Sequence, residues 1–186
     1  SLEIASEKNE IKVFDVCCGS GNLGVTVAKL NPKCRVYSSD ISDEAIELTK
    51  ENIDLLNLNN RIEAAQSDMF EAFKTDTYYK NIDLIICNPP YISSAKVVKM
   101  DSEIALNEPS LAFDGGMLGI KIIQKLINEA PLFMTNKGWL VFEVGVGQGD
   151  FVGKLLEKTK QFQQIGSVSD NAGNVRVVFA QKYFEE

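Results

Sequence analysis

The chain has 186 residues, 45% hydrophobic and 24% charged, the proportions of one globular domain with a single sizeable core. Its net charge of -7 repels phosphate backbones and argues against direct nucleic-acid binding. There is no histidine, and the four cysteines at 17, 18, 34 and 87 form no C-x-x-C pair, which argues against a zinc site or a histidine-assisted nucleophile.

In chain order, short apolar runs alternate with helical periods. Residues 12–18 (KVFDVCC) predict a buried strand, with Cys17 and Cys18 as small buried residues of a reducing cytosol. After Gly19-Ser20-Gly21, residues 22–30 have helical spacing, with Leu23, Val27 and Leu30 on one side and Pro32 beyond the end. Residues 35–41 predict a second strand. Ser42 is an N-cap for a helix over 43–56, where Ala45, Ile46, Thr49, Ile53 and Leu56 recur. Residues 62–67 predict a third strand and 82–87 (IDLIIC) a fourth, apolar enough to be buried on both faces.

The segment from Tyr91 to about Met117 has no clear period, and a loop of that length in a compact domain points to function. Residues 118–130 predict an amphipathic helix with Ile122, Ile123, Leu126 and Ile127 inward, followed by a strand over 139–144 and a helix over 151–159. Two strands, 162–168 and 175–183, flank the turn-rich DNAGN (170–174) and predict a closing hairpin. Strands alternating with helices imply an α/β, mostly parallel, doubly wound sheet in one domain over residues 1–186. No apolar run approaches membrane-spanning length and no signal-peptide pattern opens the chain, so a cytoplasmic protein without membrane attachment is the expectation.

The chemistry concentrates at strand ends. Residues 19–24 match G-x-G-x-x-G, and Asp40 follows about twenty residues on. Asp15 lies inside the preceding strand end, giving the D-x-x-x-G-x-G arrangement of S-adenosylmethionine (SAM) sites rather than the nicotinamide form. Asp40 is placed to accept two ribose hydroxyls, Asp15 to stabilise an ammonium, and Asp68 with Met69 to border an adenine. Asn88-Pro89-Pro90-Tyr91 ends the fourth strand at the same sheet edge. The Asn88 side-chain oxygen and the Pro89 carbonyl can each accept one N–H of a planar nitrogen, and Tyr91 offers a flat wall. Proline cannot extend a ladder, so that carbonyl stays available. These residues suit methyl transfer to a planar nitrogen, in a protein amide or in an exocyclic base amine. A non-catalytic SAM-fold subunit is a further reading, whereas an NAD oxidoreductase lacks hydride-transfer residues after the loop.

FDVCCGSGNLG, SSDIS, QSDMF and ICNPPYI, with residues 107–123, 142–149 and 170–181, resemble the bacterial PrmC/HemK family. That family methylates the glutamine side-chain amide in the Gly-Gly-Gln motif of peptide-chain release factors. The resemblance implies a class I SAM-dependent methyltransferase with a seven-stranded sheet and a C-terminal antiparallel hairpin. It implies SAM as cofactor, S-adenosylhomocysteine as product and a release factor as protein partner. By the same resemblance, Cys17, Cys18, Gly19, Ser20 and Gly21 line the methionine part of SAM, and Asn88 touches both cofactor and substrate. Asn88, Pro89 and Tyr91 orient the amide, and Glu108 supports the loop over the site. Cys17 stands where the family usually has glycine. About ten residues precede the first strand, so the family's N-terminal helical domain is expected to be absent.

Overall fold

In a computed structural model the protein is described over residues 10–90 and 120–183. β1 (Ile11–Val16), β2 (Cys34–Asp40), β3 (Ile62–Gln66), β4 (Ile82–Cys87), β5 (Met134–Glu143), β6 (Phe162–Ser169) and β7 (Val175–Lys182) form one sheet in the order β3-β2-β1-β4-β5-β7-β6. β1 pairs in parallel with β2 and β4, β2 with β3, and β4 with β5. β7 runs antiparallel to both β5 and β6, as the hairpin expectation requires. The helices are α1 (Asn22–Leu30), α2 (Asp43–Leu55), α3 (Ile120–Phe133) and α4 (Gly149–Thr159), with a 3-10 turn at Glu71–Phe73 that shows no helical period in the sequence.

Local chemistry sets most boundaries. The Ser42 hydroxyl caps α2 by accepting from the Ala45 amide at 3.2 Å. Asn31 is extended where α1 stops, because the following proline disfavours helical backbone there. β5 begins five residues earlier than the apolar run suggests, directly from the end of α3. What permits this is Lys182 of β7, whose buried Nζ donates to Pro131 O at 2.9 Å and Met134 O at 3.2 Å. A cation there satisfies carbonyls that the ending helix leaves open.

The sheet separates two apolar layers. On one face Phe14, Val16, Ile85, Cys87, Leu140 and Phe142 pack with α3 and α4. Phe14 sits in an aromatic nest, its ring centroid 4.9 Å from Phe73 and 5.6 Å from Phe133. On the other face Ile11, Val13, Val36, Leu84 and Ile86 pack with α1 and α2. β4 is buried on both faces, as its composition predicts.

Two expectations change. α1 buries Gly24, Val25, Val27 and Ala28, while Leu23 and Leu30 are 44% and 62% exposed. Gly24 is the cause: a Cβ there would lie 2.7 Å from Asp15 Oδ2 and 2.9 Å from Val36 Cγ1, so its bare backbone forms the contact face. The neighbouring leucine is turned away by the helical rotation. β1 also ends at Val16, before the two cysteines, because Cys17 turns into the left-handed region at φ 56.

Asp15 fastens β1 to α1. It is fully buried, and its Oδ2 accepts the Gly24 amide at 2.8 Å. Its Oδ1 and the Ser38 hydroxyl, opposite in the β1–β2 register, are both buried without a partner among the described residues. Burial lifts the Asp15 carboxyl to about 7; the Gly24 amide pulls it down and the Asp40 charge pushes it up. The folded chain therefore keeps a proton that the unfolded chain releases near 3.8. That contribution to stability is complete below about pH 4 and is lost as pH rises through about 7.

Asp15→Asn, which retains an acceptor for Gly24, is expected to melt close to the unaltered chain at pH 4 and several degrees above it at pH 8. Thermal melts across that range check this, and a pH-independent difference contradicts it. Lys182→Met, which keeps the aliphatic stem but strips the carbonyls of their donor, is expected to cost about 1–3 kcal/mol in urea denaturation.

Candidate active site

Three carboxyl ends meet where the strand order reverses. β1 leads to β2 and β3 on one side, and the chain then returns to place β4 on the other. Ligands of open α/β sheets bind at such a switch point. Val16 is in register with both Ser39 and Cys87, so the residues that follow, Cys17, Asp40 and Asn88, emerge side by side.

The loop after β1 is built from left-handed residues: Cys17 at φ 56, Gly19 at φ 56 and Gly21 at φ 78. Among the described residues a Cβ on Gly19 would meet nothing within 4 Å, so none of them fills that edge of the loop. Gly21 is held from two sides, with its amide donating to Cys18 O at 2.8 Å and its own carbonyl accepting from Val25 at 2.9 Å. Asp40 ties the loop to the next helix: Oδ2 accepts the Gly19 amide at 2.9 Å and Oδ1 the Ser42 amide at 3.0 Å. A carboxylate offers about four lone-pair positions, so each oxygen keeps room for a ligand hydroxyl.

Asp15, expected to face an ammonium, lies behind the loop instead. Its side chain is shut off from solvent and turned to the first turn of α1, so it shapes the loop rather than its open surface. Asp68 is exposed and ion-paired with Lys125 of α3 at 2.7 Å. Met69 is buried and left-handed at φ 56, its carbonyl accepting the Ser39 hydroxyl at 2.9 Å. Its Sδ lies 3.7 Å from Cys17 Sγ, so two strained strand-end residues brace each other. Asn88 is exposed at the end of β4, followed by buried Pro89. Tyr91 and Glu108 lie outside the described residues.

The cysteines remain thiols. Cys18, Cys34 and Cys87 are buried, and burial pushes each thiol up from its ordinary value. Among the described residues no group of acidic or cysteine side chains could hold a metal ion. Thr49 and Asn52 of α2 also reach this loop, a role that the sequence conceals. Thr49 reads there as one more member of an apolar stripe; its side-chain hydroxyl inside that stripe is the signal.

The chain is similar in sequence and in fold to known proteins. A family model described as methyltransferase small domain matches residues 2–120. The release factor glutamine methyltransferase of Clostridium botulinum is 33% identical over 98% of this chain and 63% of its own length. That of Bacillus subtilis is 33% identical over 95% of this chain and 60% of its own. The chain thus spans about three fifths of the length of these relatives. The ribosomal protein L11 methylase structure from Lactobacillus delbrueckii subsp. bulgaricus superposes with a TM-score of 0.65 at 21% identity, covering 98% of this chain and 75% of that one. A SAM-dependent methyltransferase structure from Aquifex aeolicus gives 0.62 at 19%, covering 97% and 88%. Both likenesses speak to the fold. With residues 2–120 matched, 119 of 186 and a span that includes the glycine loop and the Asn-Pro-Pro elbow, the chain belongs to the methyltransferase small domain family.

Proposed function

We propose that the domain transfers the methyl group of SAM to the side-chain amide nitrogen of the Gly-Gly-Gln glutamine in a peptide-chain release factor. The observation that carries the reading is Asn88: it stands exposed at the end of a doubly buried strand, level with the glycine loop and Asp40. The names of the relatives above favour glutamine over a base amine, as does the net charge of -7.

The residues present fit SAM. None of the described residues fills the space at Gly19, and Asp40 retains acceptor capacity for a ribose. SAM supplies, when bound, a methyl group on a sulfonium that leaves readily as a neutral thioether. Cys17 to Gly21 would border its methionine part, Asp40 would accept from the ribose hydroxyls, and Asp68 and Met69 would border the adenine. Asp15 would act one step back, by holding the start of α1 against β1.

An amide nitrogen is planar and its lone pair is delocalised, so it is a weak nucleophile. The Asn88 side-chain oxygen and the Pro89 carbonyl would each accept one of its N–H groups, fixing the nitrogen in line and favouring positive charge as the N–C bond forms. The proton becomes acidic only after that bond exists and departs to water, so no strong base is required. Tyr91 would form the wall against which the amide plane rests.

Incubation with SAM and either a release factor or an adenine-containing oligonucleotide, followed by mass spectrometry, is expected to find one added methyl on the factor's glutamine. Label on the oligonucleotide alone refutes the glutamine reading. Transfer to neither, with measurable SAM binding, favours a partner-dependent subunit. Asn88→Ala is expected to lower kcat by about a hundredfold or more while leaving the circular dichroism spectrum unchanged, since that side chain is exposed.

A further inference from the structure

Helix α2 grips the glycine loop through two carbonyls. Thr49, fully buried, donates its hydroxyl to Gly19 O at 2.9 Å. Asn52, three residues on and therefore on the same helical face, donates Nδ2 to Ser20 O at 2.9 Å. The Thr49 hydroxyl also lies 3.6 Å from Cys18 Sγ. Loop and helix touch directly here, because a Cβ on Gly21 would fall 2.9 Å from Thr49 Cγ2.

These bonds control direction as well as distance. A trans peptide points its N–H opposite to its C=O. Holding the Gly19 carbonyl on α2 therefore turns the Ser20 amide away from the helix, and the adjoining Asp40 closes a ring. Gly19 N–H reaches Asp40 Oδ2, Ser42 N–H reaches Asp40 Oδ1, and Ser42 begins the helix that carries Thr49 and Asn52. The same face of α2 buries Ile46 and Ile53, so apolar packing already holds the helix on the sheet. The two polar side chains add aim to that packing.

We infer that Thr49 and Asn52 are positioning residues for the cofactor: they set the orientation of the Ser20 amide and the spacing between the glycine loop and Asp40, and so determine SAM affinity. This rests on the SAM-binding reading above. Neither side chain need touch the ligand; each acts through backbone that does.

Calorimetric titration of S-adenosylhomocysteine into the unaltered chain, Thr49→Val, Thr49→Ser and Asn52→Leu tests it. Thr49→Val and Asn52→Leu are each expected to raise Kd about three- to tenfold, the effect of losing one net hydrogen bond. Thr49→Ser, which keeps the hydroxyl, is expected to restore binding. In turnover the loss falls on the SAM KM and spares the release-factor KM. A lowered melting temperature with unaltered Kd in Thr49→Val overturns the inference and makes the residue structural only. Should Thr49→Val not fold, Asn52→Leu decides alone, because Asn52 is only half-buried. An unaltered chain that fails to bind S-adenosylhomocysteine refutes the SAM reading itself, whereas normal binding by every variant refutes only the role of these two residues.

Discussion

The reversal of strand order between β1 and β4 is the constraint on which the rest of the molecule hangs. Because β2 and β4 both run parallel to β1, three carboxyl ends open on one edge. The helices that follow β1 and β2 return on one face, while α3 and α4 cover the other. A glycine loop, a carboxylate and an amide are thereby gathered from residues 19, 40 and 88, far apart in the chain, by the sheet register, and the bond from the Gly19 amide to Asp40 then locks two of them together.

Holding that edge open has electrostatic and conformational consequences. Asp15 is buried beside a helix N-terminus, where one amide bond offsets only part of its desolvation, and it stays protonated to about pH 7. Cys17 and Met69 occupy left-handed backbone that side-chain-bearing residues adopt at a cost of about 1–2 kcal/mol each. Their sulfur contact and the Ser39 hydroxyl on the Met69 carbonyl stabilise the pair in return. Strain of this kind gathers at binding sites because a regular strand end could not bend the chain around a ligand.

The far side of the sheet is built for anchorage. Arg176 of β7 meets Glu143 at the end of β5 at 2.5 Å, and Lys182 of the same strand ties the α3–β5 junction. An antiparallel β7 needs no crossover helix, so it can insert between β5 and β6 with only a short turn. That turn is closed by Asp170, whose carboxylate accepts the Ala172 and Asn174 amides, the chemistry expected of DNAGN.

Much of this was legible in the sequence because it depends on neighbours within a few residues. Apolar runs, helical periods, the Ser42 cap, the DNAGN turn and the glycine loop all report local physics, and the elements they predict are present within a few residues of their expected limits. Tertiary structure decided what depends on residues brought together from a distance. Gly24 rolled α1 so that its leucines faced solvent, Asp15 turned inward to that glycine, and Lys125 drew Asp68 into an ion pair. Thr49 found a carbonyl thirty residues away. A sequence states which groups can donate or accept; only packing determines which partner is near enough, and dry enough, for the bond to matter.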